Sequence, residues 1–200
     1  MRPQVRRPLV EESERVALLL HESGPDMYDR FAGGRDRALR TLARAIETPG
    51  NSASSERIWV VDLDGELAGA MAAFPVSEAA PRSRAFFRLA LRGSPPWRWP
   101  AALRLYLVGG RVSPTPPRSA FYVDALATDS RFRRRGAARA LLEEAERQAR
   151  EHRLQAVALD TTITNKSARR LYASVGFDEV AYRPPARGLP GFVALVKPLR

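Results

Sequence analysis

DALATDSRFRRRGAA, residues Asp124 to Ala138, is the stretch whose reading decides the fold. It continues a strand expected over 121–128, turns briefly, and carries Arg133, Arg134 and Arg135 into Gly136-Ala137-Ala138. Behind it, Ala138, Leu141, Leu142, Ala145 and Ala149 share one face of a helix predicted over 137–151. A helix start presents unpaired N–H groups and the positive end of the helix dipole. Glycine at 136 lets an oxygen-rich group approach the backbone, and Ala137 and Ala138 keep side chains out of its way. Together they suit a nest for a diphosphate, ringed with positive charge by Arg133, Arg134, Arg135 and Arg139. A solvated basic turn before an ordinary helix would read the same. The stretch is neither a Walker A loop, since it lacks the Gly-Lys-Ser/Thr ending, nor a dinucleotide-binding G-x-G-x-x-G.

A second cluster lies downstream. Asn165 opens a helix expected over 166–175, which carries Ala168, Leu171 and Tyr172 and closes at Gly176-Phe177. Gly176 suits the left-handed position that follows a helix, with Phe177 packing back on it. Asn165 fits a plain helix cap. Tyr172 fits a half-buried aromatic whose hydroxyl the backbone satisfies.

Outward from these clusters, 156–160 is an apolar strand of the kind found in sheets covered on both faces, and strands over 179–182 and 192–196 follow. Upstream come a strand over 5–9 and amphipathic helices over 11–22 and 36–46. A loop of small polar residues over 49–55 reads as mobile. Strands over 57–63 and 66–74 flank the Asp64-Gly65 hairpin signal. Residues 77–119 hold many of the prolines, Trp97 and Trp99, and weak helical patterns over 85–91 and 101–108, which reads as an insertion of about two helices. The order predicts a single α/β domain over 1–200: a mixed central sheet of about six to seven strands, flanked by helices, with the helical insertion before the central strand.

The 200 residues include no cysteine, which excludes disulfides, cysteine-ligated zinc, iron–sulfur clusters and a cysteine nucleophile. His21 and His152 lie outside both clusters and are assigned no role, and no metal is expected. The formal net charge is +11, and apart from Lys166 and Lys197 every basic residue is arginine. That balance favours anionic partners without naming one. The apolar run over 16–20 is too short for a leader, and the longest low-charge stretch, 67–76, is about half a membrane span. A cytoplasmic protein without a membrane partner is expected.

The two clusters, in this order, resemble the GNAT superfamily of acyl-CoA-dependent N-acyltransferases. That family's acyl-CoA motif, R/Q-x-x-G-x-G/A at a strand-to-helix junction, reads here Arg133-Arg134-Arg135-Gly136-Ala137-Ala138. Its second signature, an Asn, then Ala, then Leu-Tyr, then Gly-Phe, reads here Asn165, Ala168, Leu171-Tyr172 and Gly176-Phe177. The close resemblance covers about 121–182; the strand order over 57–76 also fits, the match is weak before 57, and it is absent over 77–119.

The resemblance implies a GNAT-like fold in which the strand before the phosphate loop and the next parallel strand splay apart. It implies acetyl-CoA as co-substrate and no metal. The pantetheine arm would pair with the backbone of Leu126, Ala127 and Thr128, and the diphosphate would sit on the amides from Arg134 to Ala138. Asn165 would contact the arm, hold the helix start, or do both. Tyr172 would protonate the leaving thiolate, and the Leu126 N–H would polarise the thioester carbonyl. A lysine-like amine of pKa about 10.4 is only about one part in a thousand neutral at pH 7.4, so a carboxylate that takes its proton would help. Asp124 is the candidate base; a plain bond to backbone or arginine suits it equally well. The acceptor would be an amine of a small molecule or of a protein. Met27, Tyr28 and Phe31 lie in the half that often selects the acceptor in relatives. Phe86, Phe87, Trp97, Trp99 and Tyr106 suit an acceptor pocket or lid, the core of an added layer, or a homodimer contact.

Two further readings compete. A relative without turnover would bind acyl-CoA as a sensor, against which the retained Tyr172 argues. A nucleic-acid-binding module would use the positive charge, but the arginines are spread along the whole chain and no recognition signature interleaves aromatics with them.

Overall fold

The apolar runs assemble into one seven-stranded sheet in a computed structural model that describes residues 3–112, 114–186 and 189–199. Its strands are β1 (Gln4–Arg6), β2 (Ile58–Leu63), β3 (Glu66–Pro75), β4 (Ala120–Thr128), β5 (Ala156–Thr162), β6 (Asp178–Arg183) and β7 (Phe192–Pro198). They lie in the order β1-β2-β3-β4-β5-β7-β6. All neighbours pair antiparallel except β4 and β5, the parallel pair at the centre. The helices are α1 (Ser13–Glu22), α2 (Pro25–Ala32), α3 (Arg35–Glu47), α4 (Val76–Arg92), α5 (Trp99–Val112), α6 (Ala137–Glu151) and α7 (Lys166–Ser174).

Strand alternation divides the core between two faces. Trp59, Val61, Met71, Phe121, Val157 and Leu195 turn to α6 and α7, where Leu141, Leu142, Ala145 and Phe177 meet them. Ile58, Val60, Ala70 and Ala72 turn the other way, to Val16, Leu20 and Leu42 of α1 and α3. One irregularity positions the site. Ala72 pairs with Ala125 and Ala73 with Val123, so Asp124 has no partner on β3 and forms a bulge. The alternation resets there: Val123 packs on the α6 face, whereas Ala125 packs on the α1 face.

Three expectations change. The loop over 49–55, read as mobile, is buried from Asn51 to Ser54. Asn51 fixes it by donating to the Ala45 and Thr48 carbonyls at 2.8 and 2.6 Å and accepting from the Ala53 amide at 2.8 Å. Small polar residues thus serve as an end-cap for α3 rather than as solvated coil. Secondly, α2 lies where no helix was expected. It is only eight residues long, and glycines bound it at 24 and 33–34. Thirdly, the helices of the insertion run well beyond 85–91 and 101–108. Pro81 lies inside α4, in its second turn, and masks the helix start in the sequence, because an interior proline removes a backbone donor and normally reads as a helix stop.

Candidate active site

The turn between β4 and α6 is built by alternating backbone handedness. Arg134 has φ 62° and Gly136 φ 88°, so successive amides turn inward to form a concave nest. Among the described residues, the amides of Arg134, Arg135, Gly136, Ala137 and Ala138 donate to no protein acceptor. A Cβ added at Gly136 would meet only the Pro3 Cγ, at 3.7 Å, so the space before the nest is open. Arg133, Arg134 and Arg139 extend into solvent around it, while Arg135 is ion-paired with Asp64. The donor set and its charge fit a diphosphate.

Asp129 holds this turn to the sheet, a role the sequence did not disclose. Its amide donates to the Ala68 carbonyl at 2.9 Å, and its carboxylate accepts from the Arg131 amide at 2.9 Å. The guanidinium of Arg15 on α1 and that of Arg131 pair with it. Burial opposes ionisation of Asp129, but the Arg131 and Arg15 donors outweigh it and bring its pKa down to about 2.

Beyond the nest the sheet opens. Strands β4 and β5 pair from Ala120↔Ala156 to Val123↔Leu159 and no further. Past that point β4 stays bound to β3 through Ala125, Leu126, Ala127 and Thr128, and β5 stays bound to β7 through Asp160, Thr161 and Thr162. Each strand is held from its outer side, and the bulge at Asp124 bends β4 away, so the inner edge at Leu126–Thr128 faces a wedge. An extended ligand can add itself to such an edge as a strand does.

Acidic and phenolic groups gather at the apex of the wedge. Asp124 and Asp160 directly follow the last paired residues, one on each strand. The Tyr122 hydroxyl donates to Asp160 at 2.5 Å. Asp124 is exposed, with the Ser52 hydroxyl and the charge of Asp160 close by. Desolvation, then the Asp160 charge, raise its pKa to about 7, and the Ser52 hydroxyl pulls the other way. Burial also raises Asp160, Tyr122 and Tyr28, the two phenols further under the charges of Asp160 and Asp124.

Tyr172 arrives from the other face of the sheet. The Phe177 amide donates to the Tyr172 carbonyl at 3.0 Å and the Gly176 amide to that of Ala173 at 3.1 Å, with Gly176 at φ 91°. This closing motif fixes Tyr172 two residues before the helix end, with its ring 6.0 Å from that of Phe177. Tyr172 is 6% exposed, and among the described residues nothing hydrogen-bonds its hydroxyl. Burial and the nearby Asp160 charge push its pKa up to about 12. Asn165 caps α7, accepting from the Ala168 amide at 3.2 Å and the Ser167 hydroxyl at 3.0 Å.

The turn from Arg133 to Arg139, the free edge over Leu126, Ala127 and Thr128, and Asp124 therefore lie along one parting of β4 and β5, and Tyr172 is near enough to feel the charge of Asp160 there. Tyr122, Asp160 and Ser52 join Asp124 there without having been singled out in the sequence. Asp160 ends an apolar strand, but only the parallel register puts it level with Asp124. The aromatic quintet of the insertion divides. Phe87 stacks on Tyr106 at 4.4 Å and meets Phe31 edge-on at 5.7 Å, and Phe86 packs on the α1–α3 core, while Trp97 and Trp99 stay exposed. No group of His, Asp and Glu among the described residues could hold a metal. His21 is buried against Asp29, its Nε2 at 2.7 Å, outside the cleft.

Comparison with known proteins gives the fold and the family. The acetyltransferase (GNAT) family model matches residues 25–177. No curated protein matches the chain. Among solved structures, an N-acetyltransferase from Staphylococcus aureus Mu50 shares 18% identity at a TM-score of 0.75, covering 96% of this chain and 99% of its own. An acetyltransferase shares 21% at 0.68, covering 98% and 100%. An agmatine N-acetyltransferase mutant in its apo form shares 19% at 0.60, covering 98% and 99%. At such identities the likeness is one of fold, whereas the family match spans the nest, the wedge and Tyr172. The chain belongs to the acetyltransferase (GNAT) family.

Proposed function

We propose that the protein transfers an acetyl group from acetyl-CoA to a primary amine, of a small molecule or of a protein, by direct attack in a ternary complex. The observation that carries this reading is the wedge beyond Val123 and Leu159, with an unpaired amide nest at one end and a buried phenol beside it. The diphosphate rests on the amides from Arg134 to Ala138, with Arg133, Arg134 and Arg139 screening its charge. The pantetheine arm pairs with the inner edge of Leu126, Ala127 and Thr128, and Asn165 keeps the start of α7 in place beside it.

The acceptor enters from the α1–α3 side, where Asp124 and Asp160 favour a cationic ammonium. Asp124, with a pKa of about 7, takes one proton from that ammonium near neutral pH. The amine lone pair forms the C–N bond, the Leu126 N–H stabilises the oxyanion, and the C–S bond breaks as the intermediate collapses. Tyr172 gives its proton to the departing thiolate, and the second ammonium proton, still on the nitrogen of the intermediate, passes through water to the Tyr172 phenolate, which leaves a neutral amide and restores the phenol. Incubation of the protein with acetyl-CoA and a panel of amines tests the reading: amine-dependent thiol release and an N-acetylated product are expected. Binding of acetyl-CoA with no release for any amine would favour the sensor instead.

A further inference from the structure

Helix α5 is apolar on both sides. Between Trp99 and Gly110 its only charged residue is Arg104. The inner side is covered: Ala102 and Val108 are buried, and Met27 and Leu105 pack around Val108. The outer side is not. Trp99 is 44% exposed, Leu103 47% and Leu107 54%, and Trp97 in the turn before the helix is 80% exposed. Positions 99, 103 and 107 recur every four residues and make one stripe. The indole N–H of Trp99 donates to the Leu91 and Ser94 carbonyls at 3.1 and 3.2 Å, so its ring is held in that position. A helix that is apolar all round is normally covered all round, and contiguous exposed apolar side chains mark a contact surface.

The charge of the same stretch of chain indicates what covers it. From Ala79 to Val123 the chain contains eight arginines and no Asp, Glu or Lys, against a net charge of +11 for the whole protein. Arg84, Arg88, Arg92, Arg104 and Arg118 are exposed. Beside the stripe runs an open groove of about 640 Å³ lined by Arg30, Pro100, Ala101, Arg104, Leu105 and Val108, an apolar floor edged by guanidinium groups. A second copy docking through the same face would bring like charges together. A nucleic acid would satisfy the arginines but leave Leu103 and Leu107 with nothing apolar to enter. An anionic bilayer satisfies both: tryptophans settle at the headgroup level, leucines enter the acyl boundary, and arginines meet lipid phosphates.

We propose that the outer face of α5, with the Trp97 turn, docks the protein peripherally on an anionic lipid bilayer. Among the described residues no helix is long and apolar enough to cross a membrane, so the contact is with the surface. The proposal runs against the expectation of no membrane partner, which rested on the lack of a spanning segment. The inference stands apart from the acetyl-transfer reading, since it uses none of the cleft residues.

Co-sedimentation with vesicles tests it, using phosphatidylcholine alone and phosphatidylcholine mixed equally with phosphatidylglycerol. Binding is expected to the mixed vesicles only, to weaken with salt, and to shift tryptophan emission to the blue. Leu103→Ser with Leu107→Ser, and separately Arg92→Glu with Arg104→Glu, should each weaken it by about tenfold or more. All four side chains are exposed, so the variants should keep the wild-type melting temperature and CD spectrum. Absence of binding to the mixed vesicles, or equal binding by the variants, overturns the proposal. So does loss of a concentration-dependent dimer in the leucine variant, or of DNA retention in the arginine variant, without vesicle binding by the wild type.

Discussion

Tyr172 and Asp124 have opposite proton tasks on the proposed reading, and burial acts on both. A phenol with its pKa at about 12 is fully protonated at neutral pH, as a proton donor must be. The CoA thiolate leaves into the same low-dielectric cleft, which raises its own basicity and restores the driving force for transfer. Tyr172→Phe is expected to lower kcat by about 10²-fold while leaving the acetyl-CoA dissociation constant within about twofold, measured by steady-state kinetics and calorimetry. For Asp124 the active form is the carboxylate, so kcat/KM should rise with pH through about 7, and Asp124→Asn should remove that limb. Its effect on stability has the opposite sign. A carboxyl whose pKa is raised by folding costs stability progressively as pH climbs from the ordinary carboxylate range through about 7. Asp124→Asn should therefore raise the melting temperature at pH 8 but not near pH 4, as differential scanning calorimetry at the two pH values would show.

At the scale of single elements, α6 and its preceding turn were the most legible. The expected helix over 137–151 coincides with Ala137–Glu151, because an apolar stripe of regular period leaves one solution. The nest follows from it: left-handed backbone at Gly136 is easy for glycine alone, and the amides at a helix start have no intrahelical acceptor. Gly136→Glu should abolish acetyl-CoA binding in calorimetry, both by placing a carboxylate before the nest and by straining a positive φ; unchanged affinity would remove the nest as the diphosphate site. Strand β4 was legible as a strand but not as a bulged one. Nothing in its composition separates Asp124 from an ordinary alternating residue, since a bulge is a property of the register with β3. The 49–55 loop misled for a related reason: small polar residues suit solvated coil and buried capping turns alike, and the contacts of Asn51 with α3 decide between them.

Across the whole molecule the net charge of +11 is distributed unevenly, with an acid-free run over 79–123 and a pair of carboxylates at the wedge apex. On the proposed reading exposed arginines around the nest hold acetyl-CoA, so its affinity should fall several-fold between about 0.05 and 0.5 M salt, by titration calorimetry, as screening over a shrinking Debye length requires. The sequence by itself determined the element order over its second half, the diphosphate-type turn and the capped helix that carries Tyr172. All of these are local: periodicity, a glycine, a cap, each within a few residues of its cause. Tertiary structure alone decided that β4 and β5 part after Val123 and Leu159, that Asp160 and Tyr122 join Asp124 at the parting, and that α5 keeps an uncovered apolar face. These depend on pairing and packing between segments far apart in the chain, such as Gly69 with Thr128, and their energies are set by register and packing, which no single segment contains.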